Sequence, residues 1–259
     1  MRTCAIDSPV SPAAETPCIQ LMGGFLLELG GSRISLPATA SRLVAFLAIH
    51  DRTLARSFVA GFLFPDTTDS AATARLRTTI WRLGKIAPGV IAATTSSIGL
   101  AHAVAADIRD IRERLIPLVY DEDPRVGVQE LSAMGSQVQS TLESSGEFCR
   151  ELLPGWGEPW VVAERLRLRQ LSLHALERLA TVCLDAGAGE RALALARAAT
   201  EIDPLRDSAQ YVLVRALLLT GDRLSAIAAY RTFRDALARE WALDPSPSLS
   251  RLALAASAF

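Results

Sequence analysis

Lysine is nearly missing from this chain: 26 of its 27 basic residues are arginine, and Lys85 stands alone. The formal net charge is −1, so any basic surface must be local rather than a property of the whole molecule. Cysteine is as sparse. Cys4, Cys18, Cys149 and Cys183 show no C-x-x-C spacing, which leaves no signature of a structural zinc site or a disulfide framework. Cys18, Cys149 and Cys183 are expected as small core residues and Cys4 as part of a tail. The three histidines, His50, His102 and His174, lie too far apart in sequence to suggest a metal pair, so neither a metal nor a cofactor is expected. His50 reads as a helix-end residue, His102 as part of a strand, and His174 as a structural residue on a long helix near Glu177. Neither a G-x-x-x-x-G-K-[ST] loop nor a G-x-S-x-G elbow occurs, and no histidine has a paired nucleophile. No catalytic residue is assigned, and the expectation is a protein that is not an enzyme. Long apolar runs are also lacking. Leu43–Ile49 falls far short of the roughly 20 residues that span a bilayer, and Met1–Pro17 has no apolar signal core. The expectation is a cytoplasmic protein without membrane contact.

What is present is 50% hydrophobic residues over 259 positions, enough for two modest cores. Residues 1–17, with Pro9, Pro12 and Pro17, carry no periodic pattern and read as a disordered tail. Ile19–Met22, Phe25–Leu29 and Ile34–Leu36 are short strand-like runs separated by Gly23-Gly24 and Gly30-Gly31-Ser32, predicting a small antiparallel sheet. Two helices follow, over 39–50 and 54–63, the second stopped by Pro65. Residues 70–86 form the segment around which the rest is organised. Asp69/Ser70 can cap a helix there, and Ala72, Leu76, Thr79, Ile80 and Leu83 fall on one face. The remainder carries Ala71, Ala74, Arg75, Arg77, Thr78, Trp81, Arg82 and Lys85.

Between Ser70 and Ile86 there are four cations and no acid, which is what contact with phosphates requires. Small Ala and Thr beside Arg also suit a major groove, where Arg pairs with guanine and methyls meet thymine. The segment therefore reads as a DNA-recognition helix, against the plainer reading of a solvated surface helix. Gly84 costs about 1 kcal/mol inside a helix, so the helix is expected to end near Leu83, short of Lys85. Trp81 is expected to pack beneath the hairpin formed by Val90–Ala93 and Ile98–Ala103 around Thr94-Thr-Ser-Ser97. A sheet, three helices and a hairpin make a winged helix.

Further along, Asp107–Ile116 reads as a helix up to Pro117 and Asp121–Pro124 as an acidic break. A second helical pattern follows (Val128, Leu131, Met134, Val138). Pro159 fits the first position of a long helix reaching about Asp185, on which Arg165 and Arg169 share a face and Arg167 points away, as ordinary solvated charges do. A shift of 34 residues superposes Ala175 on Ala209, Leu179 on Leu213, Cys183 on Leu217, Gly187 on Gly221, Ala192 on Ala226, Leu193 on Ile227 and Ala199 on Phe233. That period, with Gly at the turn, is the tetratricopeptide signature. Ser246-Pro247 starts a last helix to about Ala256. The fold class expected is mainly α, an N-terminal α+β winged helix followed by an all-α tetratricopeptide-like domain.

Five stretches taken in order are similar to one family: Leu21-Met-Gly-Gly-Phe25, Arg42–His50, Leu63-Phe-Pro-Asp66, Ala74–Leu83 and Glu151-Leu-Leu-Pro-Gly-Trp-Gly-Glu-Pro-Trp160. They resemble the Streptomyces antibiotic regulatory proteins, from about residue 18 to 254. The resemblance implies an OmpR-type winged helix that binds DNA, over 18–107, joined to a bacterial transcriptional activator domain over 108–259. It also implies the partners: promoter DNA with direct repeats, RNA polymerase holoenzyme including its sigma factor, and a second protomer on DNA. The function so implied is activation of a secondary-metabolite (antibiotic) gene cluster by a nucleoid-associated protein. Departures are Phe64 where the family usually has Trp, Gly84 where another helix former is common, and Ala242 where Gly usually closes a helix. The DNA-binding residues expected are Ala74, Arg75, Arg77, Thr78, Trp81 and Arg82 on the helix and Thr95 and Ser96 at the wing. The rival class is a tetratricopeptide adaptor whose winged helix does not bind DNA.

Overall fold

A computed structural model describes residues 16–120 and 150–257. Within these the chain forms two compact units, divided at Asp110/Ile111. The expected tail up to residue 15, Cys4, Cys149, the acidic break and the helical pattern from Val128 to Val138 lie outside the described residues; at its end the tail expectation is corrected, since the Pro17 carbonyl accepts Ala105 N–H at 2.8 Å beside β1.

The first unit begins with a sheet ordered β3-β2-β1-β7. Its strands β1 (Cys18–Gln20), β2 (Leu26–Leu29) and β3 (Ser32–Arg33) are antiparallel neighbours, and β7 (Ala105–Ala106) runs parallel to β1. The third strand is earlier and shorter than the pattern at Ile34–Leu36 suggests. Leu29 pairs with Ser32, so only Gly30 and Gly31 turn the chain, both at positive φ (55° and 71°). A two-residue hairpin of that kind needs residues free to adopt left-handed backbone. Strand alternation puts Ile19 into the core and Cys18 outside, which corrects the expectation of a buried Cys18.

Helix α1 (Ala38–His50) is buried nearly all round, from Ala40 to Ile49, as a helix at the centre of a small domain must be. His50 ends it, its ring against Phe46 and its Nδ1 2.8 Å from the Phe46 carbonyl. A two-residue strand β4 (Leu54–Ala55) follows, then α2 (Arg56–Leu63) and α3 (Asp69–Ile86), which pack on one another. The hairpin β5 (Ile91–Ala93) and β6 (Ser97–Leu100) pairs through β6 with β4, so the wing is a three-stranded sheet ordered β4-β6-β5. His102 lies in the turn beyond β6, not in a strand.

Helix α4 (Asp107–Tyr120) runs through Pro117 instead of stopping there. The carbonyl left without a donor belongs to exposed Glu113, where water can supply one. The Asp107 carboxylate accepts the backbone N–H groups of Leu21 (2.9 Å), Met22 (2.8 Å) and Ile108 (2.7 Å), fastening the start of α4 to the end of β1.

The second unit continues with α5 (Pro159–Asp185), α6 (Gly189–Ile202), α7 (Asp207–Leu219), α8 (Arg223–Trp241) and α9 (Pro247–Ser257), each packed on the next. The 34-residue offset is exact in the backbone bonds. Ala188 N–H reaches Cys183 C=O at 2.8 Å and Asp222 N–H reaches Leu217 C=O at 2.9 Å; Gly187 bonds Leu184 and Gly221 bonds Leu218 in the same way. Both glycines sit at positive φ, 73° and 83°, the paired-bond helix ending for which glycine is preferred. Gly189 opens α6 directly against Thr220: a Cβ there would lie 3.0 Å from Thr220 Cγ2.

Two arginines of α5 differ from the sequence reading, Arg169 donating to the Ile202 carbonyl at 2.7 Å, and Ala242 closes its helix in an unexpected way for its type. Arg165 is not a solvated charge; it gathers the carbonyls of Leu152 (2.7 Å), Leu153 and Trp156 (3.0 Å) and the Glu151 carboxylate (3.0 Å), holding the turn before α5. Ala242 keeps the left-handed helix ending (φ 53°, ψ 37°) without being glycine.

Candidate nucleic-acid interface

Helix α3 is capped one residue earlier than expected: Thr68 Oγ1 accepts from Ala71 N–H at 3.4 Å, and Asp69 opens the first turn, where a negative charge suits the helix dipole. Four residues bury its inner face, Ala72, Leu76, Thr79 and Leu83; Ile80 is half-buried at the margin. They recur at three- and four-residue intervals, so the opposite face is fixed in direction by packing. Ala74, Arg75, Arg77, Thr78, Trp81 and Arg82 are all exposed. The structure brings these six onto one helix, and Thr95 and Ser96 onto the tip of a separate element, the hairpin.

Some of these side chains are held. Thr78 Oγ1 donates to Ala74 C=O at 3.1 Å, leaving its methyl and its oxygen lone pairs outward. The Arg75 guanidinium stands 6.0 Å from the centre of the Phe64 ring, so the Phe64 that replaces a customary Trp still offers an aromatic face. At the wing, Thr94 Oγ1 accepts from Ser96 N–H (3.3 Å) and Ser97 N–H (3.0 Å), closing the tip on itself. The Ser96 carbonyl accepts Arg56 N–H at 2.9 Å, tying the wing to the start of α2.

Two expectations about this helix are corrected. It passes through Gly84 to Ile86, because Gly84 faces open space while Leu83 before it and Ala87 after it are both buried, so packing outweighs glycine's propensity. Trp81 is not packed under the wing; it is 60% exposed, with Lys85 Nζ 3.9 Å from its ring centre. Lys85 was thus excluded by the glycine at 84, although its place four residues after Trp81 was a legible signal. Among the described residues no group of His, Cys, Asp or Glu is arranged to hold a metal ion, and no helix is long and apolar enough to cross a membrane.

The first unit thus presents a winged helix with arginines exposed on α3, and the second a set of stacked helical pairs. The bacterial transcriptional activator domain matches residues 142–255. The chain is 28% identical over 220 residues (83% of its length) to the regulatory protein AfsR of Streptomyces coelicolor. It is 29% identical over 233 residues (89%) to AfsR of Streptomyces griseus. It spans only about a fifth of the length of these relatives, 21% and 23%. In fold it is similar to Mycobacterium tuberculosis EmbR, solved in complex with a low-affinity phosphopeptide. The TM-score is 0.68 at 18% sequence identity, over 93% of this chain and 65% of that one. These likenesses support the resemblance to the Streptomyces antibiotic regulatory proteins.

Proposed function

We propose that the chain is a sequence-specific DNA-binding transcriptional activator in which 18–107 reads promoter DNA and 108–259 makes protein contacts. The observation that carries this is the outer face of α3. Arg75, Arg77 and Arg82 are exposed there, and the segment from Ser70 to Ile86 contains no acid to neutralise them. Arg supplies paired donors to guanine, and the Thr78 and Ala74 methyls suit thymine. Thr95 and Ser96 supply hydroxyls at the wing for the phosphate backbone. One winged helix covers a short half-site, so two protomers on direct repeats spaced about 10 bp or a multiple give useful affinity. The helical repeats are the surface for RNA polymerase holoenzyme with its sigma factor. The place of action is the nucleoid in the cytoplasm, and the target is a secondary-metabolite gene cluster.

Footprinting the protein on the upstream regions of its own gene neighbourhood tests this reading. A protected direct repeat is expected. Arg82→Ala should flatten the dependence of affinity on salt by about one unit if Arg82 meets a phosphate, whereas a base-reading Arg should lose about 1–3 kcal/mol of discrimination at one position. Absence of protection on any fragment, or unchanged binding by the Arg75, Arg77 and Arg82 alanine variants, would favour the adaptor.

A further inference from the structure

The single lysine of the chain lies on the helix read above as the DNA-recognition helix. Because α3 continues through Gly84 to Ile86, Lys85 stands one turn beyond Trp81 on the same face, and its ammonium rests 3.9 Å from the indole centre. At roughly 100° per residue, both fall near the middle of the face opposite Ala72, Leu76, Thr79 and Leu83. Gly84, beside them, contributes no side chain. Trp81 is 60% exposed, so the indole is a platform and not a core residue.

The form of this contact matters. A lysine held by a carboxylate has its charge neutralised and its N–H groups occupied. A lysine held over a ring keeps its full charge and directs its remaining N–H donors outward. Among the described residues no carboxylate pairs with Lys85. Lysine has a long, freely rotating stem, and ordering it on binding costs affinity unless it is ordered beforehand. The ring does that.

We propose that Lys85 contacts a DNA phosphate at the carboxyl end of α3, and that Trp81 is the positioning residue that holds its ammonium ready to do so. This rests on the reading of α3 as the recognition helix. It gives that helix a second, backbone-directed end beside the arginines and assigns the exposed tryptophan a purpose.

The test uses the full chain and the DNA fragment found by footprinting, with affinity measured by fluorescence anisotropy over a range of salt. Lys85→Gln should lower the slope of log affinity against log salt by about 0.9, and Lys85→Arg should restore it. Trp81→Leu should weaken binding several-fold in the parent chain but add little in the Lys85→Gln background, and Trp81→Phe, which keeps a ring, should recover most of the loss. A chemical readout is independent of folding differences between variants. Lys85 carries the chain's only side-chain amine, so acylation by an N-hydroxysuccinimide ester, mapped by mass spectrometry, should be suppressed there by bound DNA. An unchanged salt slope for Lys85→Gln alongside a lowered one for Arg82→Ala would overturn the inference while leaving the recognition helix in place. Equal acylation with and without DNA would overturn it too, and additive effects of the two substitutions would remove Trp81 from the role. Failure of the parent chain to bind any fragment would overturn the reading of α3 itself.

Discussion

Arg109, in the first turn of α4, closes a two-pronged ion pair on Asp51, the residue that caps the end of α1. Its Nε lies 2.8 and 2.9 Å from the two carboxylate oxygens, and a terminal nitrogen reaches the Val104 carbonyl at 3.1 Å. Asp51 adopts left-handed backbone, φ 47° and ψ 36°, which Asp tolerates better than most residues. Asp51→Ala should lose the pair and keep the strain, destabilising the chain by about 1–2 kcal/mol. Asp51→Gly loses the pair but relieves the strain, so it should exceed Asp51→Ala in stability by about 1 kcal/mol in urea titrations. Equal midpoints for the two variants would show that the backbone conformation is unstrained.

A fragment meant to carry the whole first unit should run past 107, and one ending with α4 at 120 does so. A fragment ending at 107 lacks Ile108, which is fully buried, and Arg109 with its partner Asp51. Deleting a buried isoleucine and the pair together should cost roughly 3–5 kcal/mol relative to 1–120. Thermal unfolding of both fragments measures it. On the functional proposal, 1–120 should bind promoter DNA yet fail to activate transcription in vitro with purified polymerase; full activation by 1–120 would move the polymerase contact into the winged helix.

Two single-residue changes should stabilise the chain. Gly84 lies inside α3 with no atom within 4 Å of where a Cβ would sit, so Gly84→Ala should gain about 1 kcal/mol. Ala242 holds a left-handed helix ending that glycine adopts without strain, so Ala242→Gly should gain about 1 kcal/mol. Calorimetry of each variant is the check, and a lower transition temperature for Ala242→Gly would mean that loss of chain entropy outweighs relief of strain.

Burial pushes the Asp107 carboxyl above its ordinary value of 3.8, against the three N–H groups that pull it down. A carboxyl whose pKa rises on folding favours the folded state in its protonated form. Its contribution is therefore complete below the ordinary value and is lost as pH rises from there through the raised value. Asp107→Asn cannot titrate, so the stability difference between parent and variant should shift against the parent across that window. Parallel denaturation profiles with pH would show that the amides win.

Much of this architecture was legible because it follows from periodicity. The buried stripe of α3, the 34-residue repeat and the glycines at 187 and 221 are local patterns that packing reinforces. What escaped depended on partners distant in sequence. Leu54–Ala55 is a strand only because Ile98 and Ser97 pair with it, and Arg165 is a structural residue because carbonyls 9 to 13 positions earlier converge on it. Cys18 was misplaced by composition alone; its face is decided by the register with Glu28 and Ala105. In the candidate site, the cationic face was readable from spacing and charge. The Lys85–Trp81 contact was hidden by treating Gly84 as a helix end, which would hold for an isolated helix but not for one anchored by buried Leu83 and Ala87.

Gly189 packs so close to Thr220 that a methyl group there would press on the threonine side chain, 3.0 Å from its Cγ2. Successive helical hairpins in such an array are each rotated slightly from the last, and the sum of these rotations sets the radius of the superhelix. At this point the start of one hairpin lies against the Thr220 side chain that closes the next helix, so the rotation between them depends on how far that side chain can yield. A methyl group at 189 would wedge the two apart by whatever part of a few tenths of an ångström Thr220 cannot give.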